Sequence, residues 1–267
     1  ILGTNRVTLS GTLSAGTTSY NVKRATTSGG PYTTVATGVT STTYTDTGLT
    51  YGVTYYYLVS ASNAIGTSPD SVEISLDAGS LVAHLKFDET VGAIATDSSG
   101  GGHDATLVNG PNFSAGYLDN ALNLPATSSQ YATLPAGIVS ALTDFTIATW
   151  IKVDAFSTWQ RIFDFGSGTD NYMFLAAQGS AGAGKPRFAF RTPSVAQQHI
   201  DSSIAITAGV WTHVAVIRSG DTVSLYVNGT LAGSGTITIN PSDLGFTTQN
   251  YLGKSQWPDP YLDSSLD

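Results

Sequence analysis

Thr222-Val223-Ser224-Leu225-Tyr226-Val227-Asn228-Gly229-Thr230-Leu231-Ala232 is the stretch that decides the fold class. Thr222 to Val227 reads as a strand, because β-branched and aromatic side chains suit a half-buried pleated surface. Asn228-Gly229 then supplies two residues that take positive φ at little cost, which a two-residue hairpin turn demands. Working outward, Leu81 to Phe87, Asp144 to Val153, Arg161 to Phe165, Met173 to Ala177, Arg187 to Arg191 and Trp211 to Ile217 read as further strands. About 190 residues of antiparallel strand imply two sheets packed as a large jelly roll. Nearer the start, period-2 alternation marks Tyr20 to Lys23, Thr33 to Val39 and Val53 to Ala61, and in the last of these Tyr55, Tyr57, Val59 and Ala61 share one face. Ser28-Gly29-Gly30-Pro31, Asp46-Thr47-Gly48 and Asn63-Ala64-Ile65-Gly66 read as the turns between them. Short strands parted by such turns predict a smaller β-sandwich ending near Asp77-Ala78-Gly79-Ser80. The expectation is an all-β chain of two units, 1–78 and 79–267.

Composition agrees. Only 11% of the 267 residues are charged, under half of the roughly 25% usual in soluble domains. Glu73 and Glu89 are the only glutamates, so long helices lack their raw material. The net charge of −8 repels a phosphate backbone or an anionic lipid surface, and no stretch clusters Lys or Arg. Nucleic acid is therefore excluded as a partner. No run approaches the roughly 18 apolar residues of a spanning helix, so no membrane insertion is expected. Absence of Cys removes disulfides and thiol chemistry, and His84, His103, His199 and His213 lack zinc-ligand spacing. Glycosidases pair two carboxylates across a cleft, but the two glutamates fall in different units and no strand pairs two acids beside an aromatic residue. No Gly-x-Ser-x-Gly elbow is present. Catalysis within the chain is not expected. The start at Ile1-Leu2-Gly3 and the stop at Leu266-Asp267 read as a piece of something longer.

Over about residues 5–77 the chain resembles the fibronectin type III domains of bacterial exported enzymes. The resemblance rests on Ser19 to Arg24, Ser28 to Tyr32, Tyr44 to Leu49, and Thr54 to Tyr57 running to Asn63. Leu49 with Tyr55 six residues later matches that family's corner, in which a buried Tyr hydroxyl bonds a backbone carbonyl. Two departures stand out: the first strand is short or missing, and the core Trp expected after Val7-Thr8-Leu9-Ser10 is Gly11. Losing so large an anchor should leave the sandwich less stable, unless a neighbour such as Tyr20 or Tyr32 fills the space. Residues 80–267 resemble laminin G-like (concanavalin A-like) domains, which accompany bacterial hemicellulose- and arabinan-degrading enzymes. This second resemblance rests on Leu85 to Glu89 with Asp97 to Gly100, Ala121 to Leu124, Phe145 to Ile151, Trp211 to Ala215, Thr222 to Ala232 and Tyr251 to Tyr261. It implies that the closing strand continues beyond Asp267. It also implies a secreted or cell-surface bacterial protein that binds polysaccharide without cleaving it. The first unit would be a spacer, and a covalently linked catalytic module, a glycoside hydrolase of arabinan or xylan type, would lie outside this chain.

A sugar-binding surface needs a few rigid aromatic rings bordered by polar groups that pair hydroxyls. Trp257, Asp259 and Tyr261 sit in a segment stiffened by Pro258 and Pro260, which cannot donate ladder bonds. Trp159, beside Gln160 and Arg161, lies near Asp170, Asn171 and Tyr172. Trp150 and Trp211 are expected in the core, as members of alternating strands with apolar neighbours. Calcium takes hard oxygen ligands, many from loop carbonyls. Adjacent first and last strands would bring Asp88 and Asp267 together, and the Gly116 to Asn120 turn would add Asp119 and Asn120. The resemblance implies one structural calcium there, with Glu89, Asp97 and Asp104 in reserve; the alternative is that these are solvated turn acids. Two other functions compete: an adhesive, protein-binding module of the cell surface, and a polysaccharide lyase built from His199, Arg191, Arg187 and Tyr172. Scaffolding without a ligand is a further possibility. Asn112-Phe113-Ser114 and Asn228-Gly229-Thr230 fit the glycosylation pattern, the second being better read as the hairpin turn.

Overall fold

A computed structural model describes residues 6–50, 53–77 and 81–267. Chain contacts divide into two compact units, Ile1–Leu81 and Val82–Asp267. The first contains β1 (Arg6–Ser10), β2 (Ser19–Ala25), β3 (Thr33–Val39), β4 (Thr43–Thr47), β5 (Thr54–Ser62) and β6 (Ile74–Asp77). Strands β1 and β4 pair as one antiparallel sheet, and the order β3-β2-β5-β6 makes the other. The alternation read from Tyr55 onward is the inward face of β5. Tyr55 and Tyr57 are buried with Val22 of β2 and with Val7 and Leu9 of β1 in a single apolar cluster. This places core side chains from both sheets between them, the arrangement of a fibronectin type III-like sandwich.

The second unit contains β7 (Ile94–Ala95), β8 (Ala105–Val108), β9 (Asn112–Ala115), β10 (Asn120–Leu124), β11 (Tyr131–Thr133), β12 (Phe145–Val153), β13 (Arg161–Gly166) and β14 (Tyr172–Ala176). It continues with β15 (Arg187–Thr192), β16 (Val195–Asp201), β17 (Thr212–Ser219), β18 (Thr222–Val227), β19 (Thr230–Thr236), β20 (Gln249–Leu252) and β21 (Ser264–Leu266). Seven strands run in the order β19-β18-β17-β12-β21-β10-β9, and eight in the order β16-β15-β14-β13-β20-β11-β8-β7. Alternation sends Ile151, Val214, Val216 and Leu225 of the first sheet, and Phe163, Met173, Leu175 and Phe188 of the second, into one shared core. The two sheets therefore form an antiparallel concanavalin A-like jelly roll. Leu266 of β21 stands opposite both Leu122 and Ile151, so this short strand sits in the middle of its sheet. The hairpin between β18 and β19 turns at Asn228 and Gly229, with φ of 49° and 75°, and Asn228 Oδ1 accepts the His213 N–H at 2.9 Å.

Two expectations need correction. Leu81 to Phe87 is not a strand: only Leu85 bridges, to Asp97. Apart from that bridge and the Ser98 N–H bonded to the His84 carbonyl, its backbone serves side chains. The His84 N–H donates to Asp97 Oδ1 at 2.8 Å, the Val82 carbonyl lies 2.6 Å from His103 Nδ1, and Phe87 ends the segment at φ 56°. Asp46 and Thr47 belong to β4 and not to a turn, because Asp46 is buried where it accepts from the Tyr57 hydroxyl and from Arg24, both at 2.9 Å. The Tyr55 hydroxyl of the corner accepts from the Thr50 N–H at 3.0 Å. Neither Tyr20 nor Tyr32 joins the apolar cluster of the first unit. Tyr20 accepts from the Ser14 N–H and Tyr32 donates to Glu73, leaving Tyr57 as the largest fully buried side chain of the cluster among the described residues.

Candidate functional site

The outward face of the eight-stranded sheet carries the site. Along β14, Met173 and Leu175 enter the core, so Tyr172, Phe174 and Ala176 must face the other way. Cross-strand register sets Ala189 beside Phe174 and Arg191 beside Tyr172 on β15, and Asp164 beside Phe174 on β13. Two half-buried indoles close over this apolar floor, Trp159 from the loop before β13 and Trp257 from the segment after β20. Trp257 stands edge-on to Tyr172 at 4.7 Å, and Trp159 stands edge-on to Phe174 at 6.4 Å.

Beneath the indoles lies Arg161. Its guanidinium carbon is 3.9 Å from the Phe174 ring centroid and 5.6 and 5.5 Å from those of Trp159 and Trp257. It donates to Asp259 at 3.0 Å and to the Trp159 carbonyl at 2.6 Å, and lies 3.4 Å from Asp164. Burial lowers the Arg161 pKa and pushes the Asp164 carboxyl up to about 6, opposed by Arg161 and by hydrogen bonds from Gln256. Two carboxylates thus hold one enclosed cation that stacks on several aromatic faces. Trp159 sits at φ 71°, an outlying backbone conformation for a bulky residue and one retained only where the surroundings impose it. Its N–H donates to Gln178 at 3.0 Å while its carbonyl accepts from Arg161.

Trp257, Asp259, Trp159 and Tyr172 therefore converge on Arg161, although Tyr172 is 3% exposed and forms floor. Its hydroxyl donates to Gln197 at 2.9 Å. Tyr261 belongs to a neighbouring group, 6.0 Å from Tyr131, which in turn stands edge-on to Tyr251 at 5.7 Å. Lys254 lies 4.4 and 4.6 Å from the Tyr131 and Tyr251 ring centroids. Sequence reasoning missed Tyr131, Tyr251 and Lys254, because β11 and β20 span three and four residues, too short for alternation to show.

Trp150 and Trp211 are not core residues. Trp150 alternates with inward Ile151 and faces outward on the seven-stranded sheet, half-buried beside His213 and stacked on Tyr117 at 3.6 Å. Trp211 is half-buried with the Lys152 ammonium 5.4 Å from its ring centroid. Arg187 and His199 both face Asp201, the former through bonds of 2.5 and 2.6 Å, and burial raises the Tyr172 pKa. Ser98 Oγ lies 2.9 Å from His84 Nδ1, but the Asp97 carboxylate bonds backbone amides and Ser99 and does not orient that ring.

The acids expected around calcium gather loosely. Asp267 Oδ2 accepts the Leu118 N–H at 2.7 Å, and Asn120 Nδ2 donates to the Asp88 carbonyl at 3.2 Å. Burial raises the Asp267 pKa, and the charges of Asp88 and Asp119 raise it further. A Cβ on Gly116 would lie 2.6 Å from the Asn120 carbonyl oxygen and 2.7 Å from Asp267 Oδ2, so two oxygens line one small cradle. Among the described residues no three His, Asp or Glu side chains are close enough to hold an ion by themselves. The fit therefore depends on carbonyls as much as on carboxylates. Of the three reserve acids, Asp97 is spent on the loop of residues 84–103.

Comparison with known proteins places this geometry. A family model described as the concanavalin A-like lectin/glucanases superfamily matches residues 126–267, more than half of the chain. Domain 4 of AbnA, a GH43 extracellular arabinanase from Geobacillus stearothermophilus, solved in complex with arabinotriose, superposes with a TM-score of 0.58 at 23% identity. That match covers 69% of this chain and 90% of that one. An Fn3-like protein from Clostridium thermocellum is 48% identical, covering 29% of this chain and 80% of that one, with a TM-score of 0.27. An amylopullulanase from Thermoanaerobacterium saccharolyticum is 40% identical over 75 residues, which are 28% of this chain and 6% of that enzyme. The matched segment is thus a small part of the curated relative.

Proposed function

The chain belongs to the concanavalin A-like lectin/glucanase superfamily, and on that premise we propose that residues 82–267 bind polysaccharide without cleaving it, on a platform formed by Trp159 and Trp257. The observation that carries this reading is the pair of half-buried indoles set about the enclosed Arg161 guanidinium. Rings held this firmly lose little freedom when a sugar stacks on them. Asp259 borders the platform, and Tyr261 with Tyr131 and Tyr251 extends it across the sheet. In this reading the chain is an accessory part of a secreted or surface-attached bacterial carbohydrate-active enzyme, and the first unit is its spacer. Once this module holds a polymer, the next encounter of a linked catalytic module with that polymer becomes intramolecular. Similarity to segments of an amylopullulanase and to a domain of an arabinanase supports the context. Arabinan and xylan are the first polymers to test. Calcium is proposed as a structural ion held by Asp88, Asp119, Asn120 and Asp267, its charge relieving the crowding of acids around Asp267.

Affinity electrophoresis through arabinan, xylan, galactan, β-glucan, pectin and alginate, each with calcium and with chelator, tests the reading. Retardation by a polymer, abolished in Trp159→Ala and Trp257→Ala, is expected. A folded protein that no polymer retards, or retardation unchanged in both variants, would overturn the platform. Loss of retardation with chelator, reproduced by Asp267→Asn, is the expected sign of the ion.

A further inference from the structure

We infer that the glycan taken by this face carries carboxylate groups, that is, uronate sugars, and that Arg191 and Lys254 read them. The inference rests on the polysaccharide-binding reading and adds the class of ligand. Residues 82–267 contain eight Lys and Arg residues, and Arg161, Arg187, Arg191 and Lys254 belong to this one face. Arg161 is neutralised by Asp164 and Asp259, and Arg187 by Asp201. Arg191 and Lys254 have no ion-pair partner among the described residues. Both are half-buried, and Arg191 Nε is enclosed without an acceptor.

Their placement matters more than their number. Arg191 stands opposite Tyr172, at one border of the Trp257 cluster. Lys254 stands above Tyr131 and Tyr251 at the other, and Tyr251 is register partner to Asp164 beneath the platform. From β15 to β20 there are three strand spacings, about 14 Å. A polymer stacked on Trp159 and Trp257 would meet a cation without a counter-charge on either side. Partly desolvated cations of this kind favour an anionic partner, and a guanidinium matches a carboxylate in shape. The overall charge of −8 does not oppose this at physiological salt, where distant charges are screened beyond about 8 Å.

Binding at 0.15 M salt should be measured with polygalacturonate, alginate and glucuronoxylan, each beside its carboxyl-reduced form, with dextran sulfate as a competing polyanion. At least one acidic polymer is expected to bind about tenfold or more tightly than its reduced form. Arg191→Gln and Lys254→Gln should each shrink that preference several-fold and together remove it, leaving binding to the reduced polymer unchanged, whereas Lys254→Arg should keep it. The inference fails if no acidic form is preferred, if the double variant retains the preference, or if dextran sulfate competes as well as the polyuronate. Neutral polymers bound through Trp159 and Trp257 with no acid preference would refute the uronate inference alone. No binding to any polymer would refute the platform with it.

Discussion

Replacing Asp97 by Asn should cost the second unit about 2–4 kcal/mol at pH 7, and the cost should shrink in acid. The Asp97 side chain is fully enclosed. Oδ1 accepts the backbone N–H groups of His84 and Ser99 at 2.8 and 2.9 Å, and Oδ2 accepts the His103 N–H at 2.9 Å and the Ser99 hydroxyl at 2.7 Å. Burial works against the charge, but these bonds outweigh it and lower the pKa from 3.8 to about 2. At about 1.4 kcal/mol per tenfold change in proton affinity, that difference is worth roughly 2.5 kcal/mol. Because the folded value lies below the unfolded one, the contribution is complete above about pH 5 and disappears as pH falls from about 4 to about 2. Asn retains one acceptor oxygen and turns an NH2 group towards donors, which adds the cost of unsatisfied amides. Urea unfolding of wild type and Asp97→Asn, at pH 7 and again near pH 2.5, measures both halves. A difference below about 0.5 kcal/mol at pH 7, or an equal difference at both pH values, would refute the assignment of this carboxylate as the loop's organising charge.

Phe188→Ala should destabilise the second unit by about 3–5 kcal/mol in the same assay, since the ring is fully buried with Phe190, Phe145 and Phe163 at 5.9, 6.2 and 6.4 Å. Tyr57→Phe should cost the first unit about 1–2 kcal/mol by withdrawing a donor from buried Asp46, and the transition of the second unit should not move. Gly116→Ala drives a methyl group against the Asn120 carbonyl and Asp267 Oδ2; a loss of about 1–3 kcal/mol is expected, together with loss of any rise in Tm on adding calcium. A variant that melts like wild type and still responds to calcium would remove that cradle from the ion site.

The hairpin at Asn228-Gly229, the alternation of Tyr55 and Tyr57, and the shortage of Glu, Lys and Arg determine an all-β chain with two sandwiches, because each acts locally or through bulk composition. Trp257, Asp259, Trp159 and Tyr172 could also be singled out, since proline-stiffened and loop-borne aromatics stand apart from strand alternation. Their roles could not. Which of them is floor and which is platform depends on β14 turning Tyr172 and Phe174 outward while two loops close over them. The same ambiguity misplaced Trp150: a tryptophan between Thr149 and Ile151 reads as core until the sheet decides which side of the strand faces in. Leu81 to Phe87 failed for a related reason, its backbone partners being the side chains of Asp97 and His103, which no local pattern reveals. Arg161 shows the limit most plainly, for an arginine in a strand is an ordinary surface residue. Only tertiary structure brings Asp164, Asp259 and three aromatic rings around it, and long-range contact of this kind leaves no periodic mark in the chain.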